Sequence, residues 1–140
     1  MTGLMFRLAN LRSNQLIEVE VSISLTYNAM VDGKFVRQFL PLELARNSIG
    51  LLTLSWAVVH PITEDSPLKT MDENFLKTIE AEFLVMLKAF DDNFLQTVHP
   101  RTSYTDEEVV WNAKFNSAIF REESGVNLLD LQKIDDLNIL

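Results

Sequence analysis

Two carboxylates lie close together near the start of this sequence, in the stretch LIEVEV at residues 16–21. Glu18 and Glu20 alternate there with apolar residues, and the alternation continues to Tyr27. Successive side chains of a β-strand point to opposite faces, so this period of two predicts that both carboxylates share one polar face. Carboxylates on a shared face attract cations through their combined field. The plain alternative is a strand face that simply contacts water.

Catalytic chemistry has few candidate residues in this chain. The histidines His60 and His99 could act with Glu64, Asp65 or Ser103, but no HExxH spacing, GxSxG turn or glycine-rich phosphate loop is present. We therefore interpret both histidines as hydrogen-bonded structural residues. The sequence predicts no enzyme, no catalytic residue, no metal site and no cofactor.

Length and charge exclude further classes of function. The chain has 140 residues, which fits one domain, and a net charge of -8, which disfavours binding to nucleic acid. It has no cysteine, so neither disulfides nor a thiolate nucleophile is available. No apolar run reaches the roughly 18 residues of a membrane span, and no signal peptide is apparent. As given, the chain is expected to be soluble and cytoplasmic.

The elements that must position the carboxylates are mostly short strands. Asp32 and Gly33 predict a tight hairpin turn, with a return strand over residues 34–40. The run LLTLSWAVV at 51–59 is apolar on both faces and predicts one strand in the middle of a sandwich, ended by Pro61.

The second half of the chain predicts one short helix and further strands. Asp72 is expected to cap a helix over about residues 72–79 that buries Phe75, Leu76 and Ile79, and a strand over about 81–89 follows. Thr105 and Glu108 have capping-box spacing and predict a helical turn. Residues 113–120 read as a strand, and 126–140 as half strand and half amphipathic helix. Many short strands with little helix predict an all-β sandwich.

Three stretches resemble a known family. They are LMFRLANLRSNQLIEVEV at 4–21, LSWAVVHPITEDSPL at 54–68 and HPRTSYTDEEVVWNAKF at 99–115. In this order and spacing they resemble the inward rectifier potassium channels, in the prokaryotic branch of that family. The resemblance implies the cytoplasmic domain of such a channel, an immunoglobulin-like (E-set) β-sandwich with one or two short helices that assembles as a homotetramer beneath a membrane pore.

The resemblance also implies the place of this chain in a larger subunit. Residues 1–140 would form a single domain, with 1–12 as the end of the linker from the channel's own transmembrane pore domain and 120–140 as a C-terminal strand and helix segment. The chain contains no TVGYG-like selectivity filter, so it would not select potassium by itself. The expected location is the cytoplasmic side of the bacterial inner membrane, where potassium ions would pass through the assembled pore.

Site residues follow from the resemblance, position by position. Glu18 matches the residue on the first long strand that draws cations, polyamines or Mg into the cytoplasmic pore, and Glu20 lies beside it. In the hairpin at 87–97, which corresponds to a constriction below the membrane, the candidate lining residues are Ala89, Phe90 and Leu95. Lys88 stands where strongly rectifying members commonly have an acidic residue.

Lipid contact is the third implied site, and one rival function has the same fold. Arg12 matches a position that binds anionic phospholipid head groups, and Arg7 is near it; arginines also form ion pairs within proteins. The rival reading is a free-standing immunoglobulin-like module that binds another protein. Oligomeric state separates the two, because a pore-lining domain should form a closed ring.

Overall fold

A computed structural model describes residues 3–10, 15–52 and 55–111 with their side chains, together with the backbone of four further strands. The strands are β1 (Gly3–Ala9), β2 (Leu16–Val31), β3 (Lys34–Leu42), β4 (Ser48–Leu52), β5 (Ser55–Pro61), β6 (Glu82–Asp91), β7 (Gln96–Val98), β8 (Arg101–Thr105), β9 (Ala113–Phe115), β10 (Ile119–Arg121), β11 (Asn127–Leu129) and β12 (Leu137–Ile139). The helices are a 3-10 turn (Pro67–Thr70), α1 (Glu73–Thr78) and a second 3-10 turn (Asp106–Glu108).

The largest sheet is built around the antiparallel pair of β2 and β6. On one side, β4 pairs with the first part of β2 and β3 with the rest; on the other side, β8 and β7 pair with β6. Three separate antiparallel pairs complete the described strands, namely β1 with β5, β9 with β12 and β10 with β11. This architecture, mostly strand with little helix, confirms the predicted all-β sandwich.

The core lies between the large sheet and the β1–β5 pair. Val19, Val21, Ile23 and Leu25 of β2 are buried, as the alternating pattern predicts, and they belong to one apolar cluster with Phe6 of β1 and with residues of β5 and β6. Each fully buried aliphatic side chain of this kind contributes about 1.5–3 kcal/mol relative to exposure. The alternation of β2 is therefore what fixes one face of the central strand against the core.

The turn between β2 and β3 forms as the sequence predicts. Asp32 has φ 49° and Gly33 has φ 77°, so both central residues are left-handed. Two left-handed residues define the type I′ turn, whose twist matches that of the flanking strands. Val31 and Lys34 close the hairpin as the last pair of the ladder.

The prediction of one strand over 51–59 is wrong. Leu51 and Leu52 end β4, which pairs with β2, whereas β5 begins at Ser55 and pairs with β1. Leu51 and Ala57 are exposed, so the run is not buried on both faces. An apolar run indicates burial but does not specify the pairing partner, and here the partner changes within the run.

The helix prediction is confirmed in position but only partly in its contacts. Asp72 accepts a hydrogen bond from Phe75 N (2.8 Å) through its side chain, as expected for an N-cap, and Leu76 is buried. The predicted burial of Phe75 is wrong, since this side chain is 47% exposed. A helix of six residues presents only a narrow face to the core, and Leu76 occupies it.

The remaining predictions concern the second half of the chain. The helical turn near Thr105 is present, with Thr105 N donating to Glu108 Oε1 (3.1 Å). Residues 113–115 and 119–121 belong to strands with different partners, not to one strand. The amphipathic helix expected near the end of the chain falls mainly on residues outside the described part. Within that part, no helix has the length and apolarity to cross a membrane.

Candidate functional site

The candidate site begins at a β-bulge in the central strand. The register between β2 and β6 shifts between Ile17 and Glu20, and Glu18 within this bulge has φ 49°. A bulge re-aims the extra residue and bends its strand. Glu18 is exposed, as predicted, but the bulge interrupts the strict alternation, so the pattern alone does not fix the direction of its carboxylate.

Beyond the bulge, β2 and β6 share an outer face, on the side away from the core. Glu20 is paired in register with Lys88 of β6 and with Ser48 of β4, and both Glu20 and Lys88 are exposed. Directly paired residues of antiparallel strands point to the same face. The sheet therefore places an acidic and a basic residue on neighbouring strands at this point of the outer face.

The tip of the β6–β7 hairpin is the second part of the site. Asp91 is fully buried, and its Oδ1 accepts hydrogen bonds from Asn93 N (3.0 Å) and Phe94 N (3.3 Å). This arrangement fixes a turn over residues 92–95 whose last two side chains project outward. Phe94 is 64% exposed and Leu95 is 73% exposed, with a left-handed backbone at Leu95 (φ 51°). The tip thus presents two apolar side chains on a constrained turn.

The three residues proposed to line a constriction occupy different environments. Leu95 is exposed at the tip, Phe90 is half-buried on β6, and Ala89 is 1% exposed within the core. Sequence reasoning missed Phe94, whose signal was a large apolar residue placed directly after the turn-forming stretch Asp-Asp-Asn. A lining role for Ala89, Phe90 and Leu95 stays a prediction, and Phe94 joins them as a candidate.

The basic residues of the chain start are only partly described. Arg7 is half-buried on β1, opposite Ala57 of β5, and takes part in an interaction within the domain. Arg12 lies outside the described residues. Their contact with lipid head groups therefore stays a prediction.

Two polar clusters in the domain link its elements. Arg37 of β3 donates hydrogen bonds to Asn28 Oδ1 (3.1 Å), Thr26 Oγ1 (3.0 Å) and the Glu80 carbonyl oxygen (2.7 Å). Thr26 is buried, and its hydroxyl is satisfied by Arg37 and by the Glu82 carbonyl oxygen. The alternation of buried apolar and exposed polar residues along β2 therefore does not extend to Thr26. This cluster joins the β2–β3 hairpin to the turn after α1.

His60 forms the second cluster and is a structural residue. It is buried; its Nδ1 bonds to the Glu43 carbonyl oxygen and its Nε2 to Ser66 Oγ (2.7 Å). A carbonyl oxygen only accepts, so Nδ1 carries the proton and Nε2 accepts from Ser66. Ser66 also caps the first 3-10 turn through Leu68 N (3.1 Å). His99 is exposed, and the described residues contain no cluster of three or more metal-ligating side chains.

Together, the fold and the site define a β-sandwich domain whose exposed chemistry is a charged segment on its central strand and an apolar hairpin tip. A sequence model of the inward rectifier potassium channel C-terminal domain matches residues 2–139, and the chain belongs to this family. The resemblance inferred from the three stretches is thereby confirmed.

Individual relatives agree with this assignment. The chain is 35% identical to the inward rectifier potassium channel Kirbac3.1 of Paramagnetospirillum magnetotacticum over 135 residues, which cover 96% of this chain and 46% of the relative. It is 30% identical to the human inward rectifier potassium channel 4 over 129 residues, 86% of this chain and 28% of that protein. The chain thus spans less than half the length of these relatives, both of which are named as inward rectifier potassium channels.

Proposed function

We propose that this chain is the cytoplasmic part of a tetrameric inward rectifier potassium channel of a bacterial inner membrane. Four copies would surround one axis below the channel's transmembrane pore domain and extend the path of the potassium ions. The observation that carries this proposal is the family match over residues 2–139, combined with two exposed carboxylates on the central strand of the domain.

In this proposal Glu18 and Glu20 attract cations into the vestibule. Four copies of an exposed carboxylate around one axis share a field that raises the local concentration of potassium and of blocking cations such as polyamines or Mg²⁺. The left-handed bulge at Glu18 supports this role, because backbone strain is concentrated at functional positions of proteins.

The hairpin tip forms the constriction. Phe94 and Leu95 are exposed on a turn that Asp91 holds, and four such tips around an axis would bring apolar side chains together. A narrow apolar ring blocks ions by excluding water. Phe90 and Ala89 would support the tips from β6.

Anionic phospholipids are the proposed regulators at the chain start. Guanidinium groups bind phosphate oxygens in a bidentate manner, and Arg12 and Arg7 supply two of them. Binding to vesicles that contain phosphatidylglycerol should weaken in Arg12→Gln and as salt increases. Arg46→Gln, which removes an equal charge from an exposed loop, should leave vesicle binding unchanged. Equal binding by both variants would contradict lipid contact by Arg12.

An ion-flux measurement tests the central proposal. The chain replaces the matched segment of Kirbac3.1, the chimera is reconstituted in liposomes, and potassium flux is measured with increasing spermine. We expect flux in the unmodified chimera and a spermine dissociation constant raised about tenfold or more in Glu18→Gln, because the ring loses four charges.

Glu73→Gln is the matched control, since it removes one exposed carboxylate from α1, outside the sheet. Its spermine sensitivity should equal that of the unmodified chimera. No flux in a chimera that assembles, or equal sensitivity in Glu18→Gln and the control, would contradict the proposal.

A further inference from the structure

A cleft of about 400 Å³ lies on the large sheet between β3 and β8, on the side away from the core. Thr26, which is buried, and Leu84, which is half-buried, form its floor. Phe39 of β3 stands at one side and is 64% exposed, and Ser103 of β8, the ladder partner of Leu84, lies at the other. Cavities of this volume hold small organic molecules, and a mainly apolar lining with a few polar groups is typical of such sites.

The two ends of the cleft differ in charge. Arg101 lines one end, and among the described residues none forms a hydrogen bond or an ion pair with its guanidinium group. At the other end, Arg37 donates to Thr26 Oγ1 (3.0 Å), and its Nη2 lies 3.9 Å from Glu82 Oε2. Arg101 pairs with Met86, four residues along β6 from Glu82, so the two ends are about 13 Å apart. The available positive charge of the cleft is therefore at the Arg101 end.

Charges beyond the cleft do not cancel that of Arg101. The next charged residue along β6 is Lys88, which is exposed and pairs with Glu20 of β2. Arg46 lies near the same carboxylate, since its Nε donates to the carbonyl oxygen of Ser48, the β4 partner of Glu20 (3.0 Å). Two cations thus accompany the one acidic residue on that side, and an anion that approaches Arg101 meets a positive environment.

We propose that this cleft binds a small carboxylate with a flat apolar body. The carboxylate accepts hydrogen bonds from the Arg101 guanidinium and the Ser103 hydroxyl, and the body lies on Leu84 against the ring of Phe39. A guanidinium group presents two parallel donors to a carboxylate, and a flat ring packs favourably on another. Glu82 orients the ligand, because it repels the carboxylate from the opposite end. This binding activity goes beyond the proposed channel function and does not depend on it.

The choice of a carboxylate over a phosphate follows from the charge count. One available guanidinium group matches one negative charge, whereas a phosphate monoester carries nearly two at pH 7 and would lie in the same cleft as the carboxylate of Glu82. Inorganic phosphate at equal concentration should therefore shift the amide resonances of the cleft less than the carboxylate does. Tighter binding of phosphate would overturn the assignment of ligand class.

The test titrates the 140-residue chain with indole-3-acetate and follows the amide chemical shifts of Leu84 and Ser103. A ligand of about a dozen non-hydrogen atoms is expected to bind with a dissociation constant of about 1 mM. Tryptophol has the same ring and an uncharged hydroxyl in place of the carboxylate, so it should bind about tenfold more weakly. Equal binding of the two compounds, or shifts confined to residues outside the cleft, would overturn the proposal.

Two variants with matched controls assign the contacts. Arg101→Gln should weaken indole-3-acetate about tenfold and leave tryptophol unchanged, and Phe39→Ala should weaken both compounds about threefold or more. Arg46→Gln and Phe35→Ala remove the same groups from exposed positions that do not line the cleft, and each should change binding less than twofold. Equal dissociation constants for Arg101→Gln and Arg46→Gln would overturn the proposal, whether or not the chimera conducts potassium.

Discussion

At the scale of single residues, the backbone conformation at Glu18 favours glycine, whereas the proposed attraction of cations requires its carboxylate. Its φ of 49° lies in the left-handed region, where a side chain with a Cβ costs of order 1–2 kcal/mol and glycine costs little. A glutamate there gives up stability and supplies a carboxylate at the bulge. Stability and cation attraction should therefore respond in opposite directions to the same substitution.

Glu18→Gly should raise the free energy of unfolding by about 0.5–1 kcal/mol. Glycine relieves the left-handed strain at this position, and this gain exceeds the cost of its larger entropy in the unfolded state. In the chimera with Kirbac3.1, the same variant should raise the spermine dissociation constant. Urea denaturation measures the first effect. Glu20→Gly is the control, because Glu20 has no left-handed backbone, and it should lower the free energy of unfolding by about 0.5–1 kcal/mol. Equal destabilisation by both variants would contradict the strained bulge.

Asp91→Ala should destabilise the domain, because Asn93 N and Phe94 N would lose a common acceptor at a fully buried position. Loss of such an acceptor costs about 1–3 kcal/mol. Thermal unfolding measures this cost. The neighbouring Asp92 is exposed, and Asp92→Ala should stay within about 0.5 kcal/mol of the original protein. A harmless Asp91→Ala would show that the tip does not depend on this carboxylate.

At the scale of elements, local signals predicted structure well and pairing partners could not be predicted. The Asp32–Gly33 turn and the Asp72 cap were correct because their chemistry lies within four residues. The division of 51–59 between β4 and β5 was missed because an apolar run does not encode which strand it pairs with. The bulge at Glu18 was missed for a related reason, since a period of two predicts faces and not the register against β6.

In the candidate site too, features set by local sequence were predicted, whereas contacts between distant segments were not. Exposure of Glu20 followed from alternation, and its pairing with Lys88 became visible only from a ladder between distant segments. Phe94 was overlooked because composition predicts that a phenylalanine is buried, whereas the turn held by Asp91 projects it into solvent.

The β2–β3 hairpin offers a test at this scale. Gly33→Ala should lower the free energy of unfolding by about 1 kcal/mol or more, because φ is 77° and alanine strains the type I′ turn although no atom lies within 4 Å of the added Cβ. Gly50 of β4 also has open space around a built Cβ but no left-handed φ, so Gly50→Ala should be neutral or slightly stabilising. Equal effects in urea denaturation would contradict the turn assignment.

At the scale of the whole molecule, charge opposes the assembly that the proposed function requires. Each chain carries -8, so four copies in a ring repel one another unless salt screens them. In a complete channel, attachment to a membrane part would hold the four domains at high effective concentration. The isolated chain has to associate without that help.

Light scattering of the purified chain should therefore detect salt-dependent association. Four chains of 16.0 kDa form a species of about 64 kDa, and its fraction should rise with protein concentration and between about 10 and 150 mM salt. Urea-unfolded chain provides the monomer reference. A monomer under every condition would contradict ring formation by the isolated chain and favour the free-standing binding module.

The pairing of β2 with β6 also governs how fast this protein reaches its native state. Thr26 and Glu82 meet across 56 residues of chain, and the other pairs of the central ladder, up to Leu16 with Asp91, are more remote still. Loop-closure entropy must be overcome before such contacts form, so domains rich in them fold on the millisecond-to-second scale. During that interval the edge of β2 that pairs with β6 stays without its partner strand. The chain should consequently be most prone to aggregate while it is being synthesised, before residues 82–91 have emerged to pair with that edge.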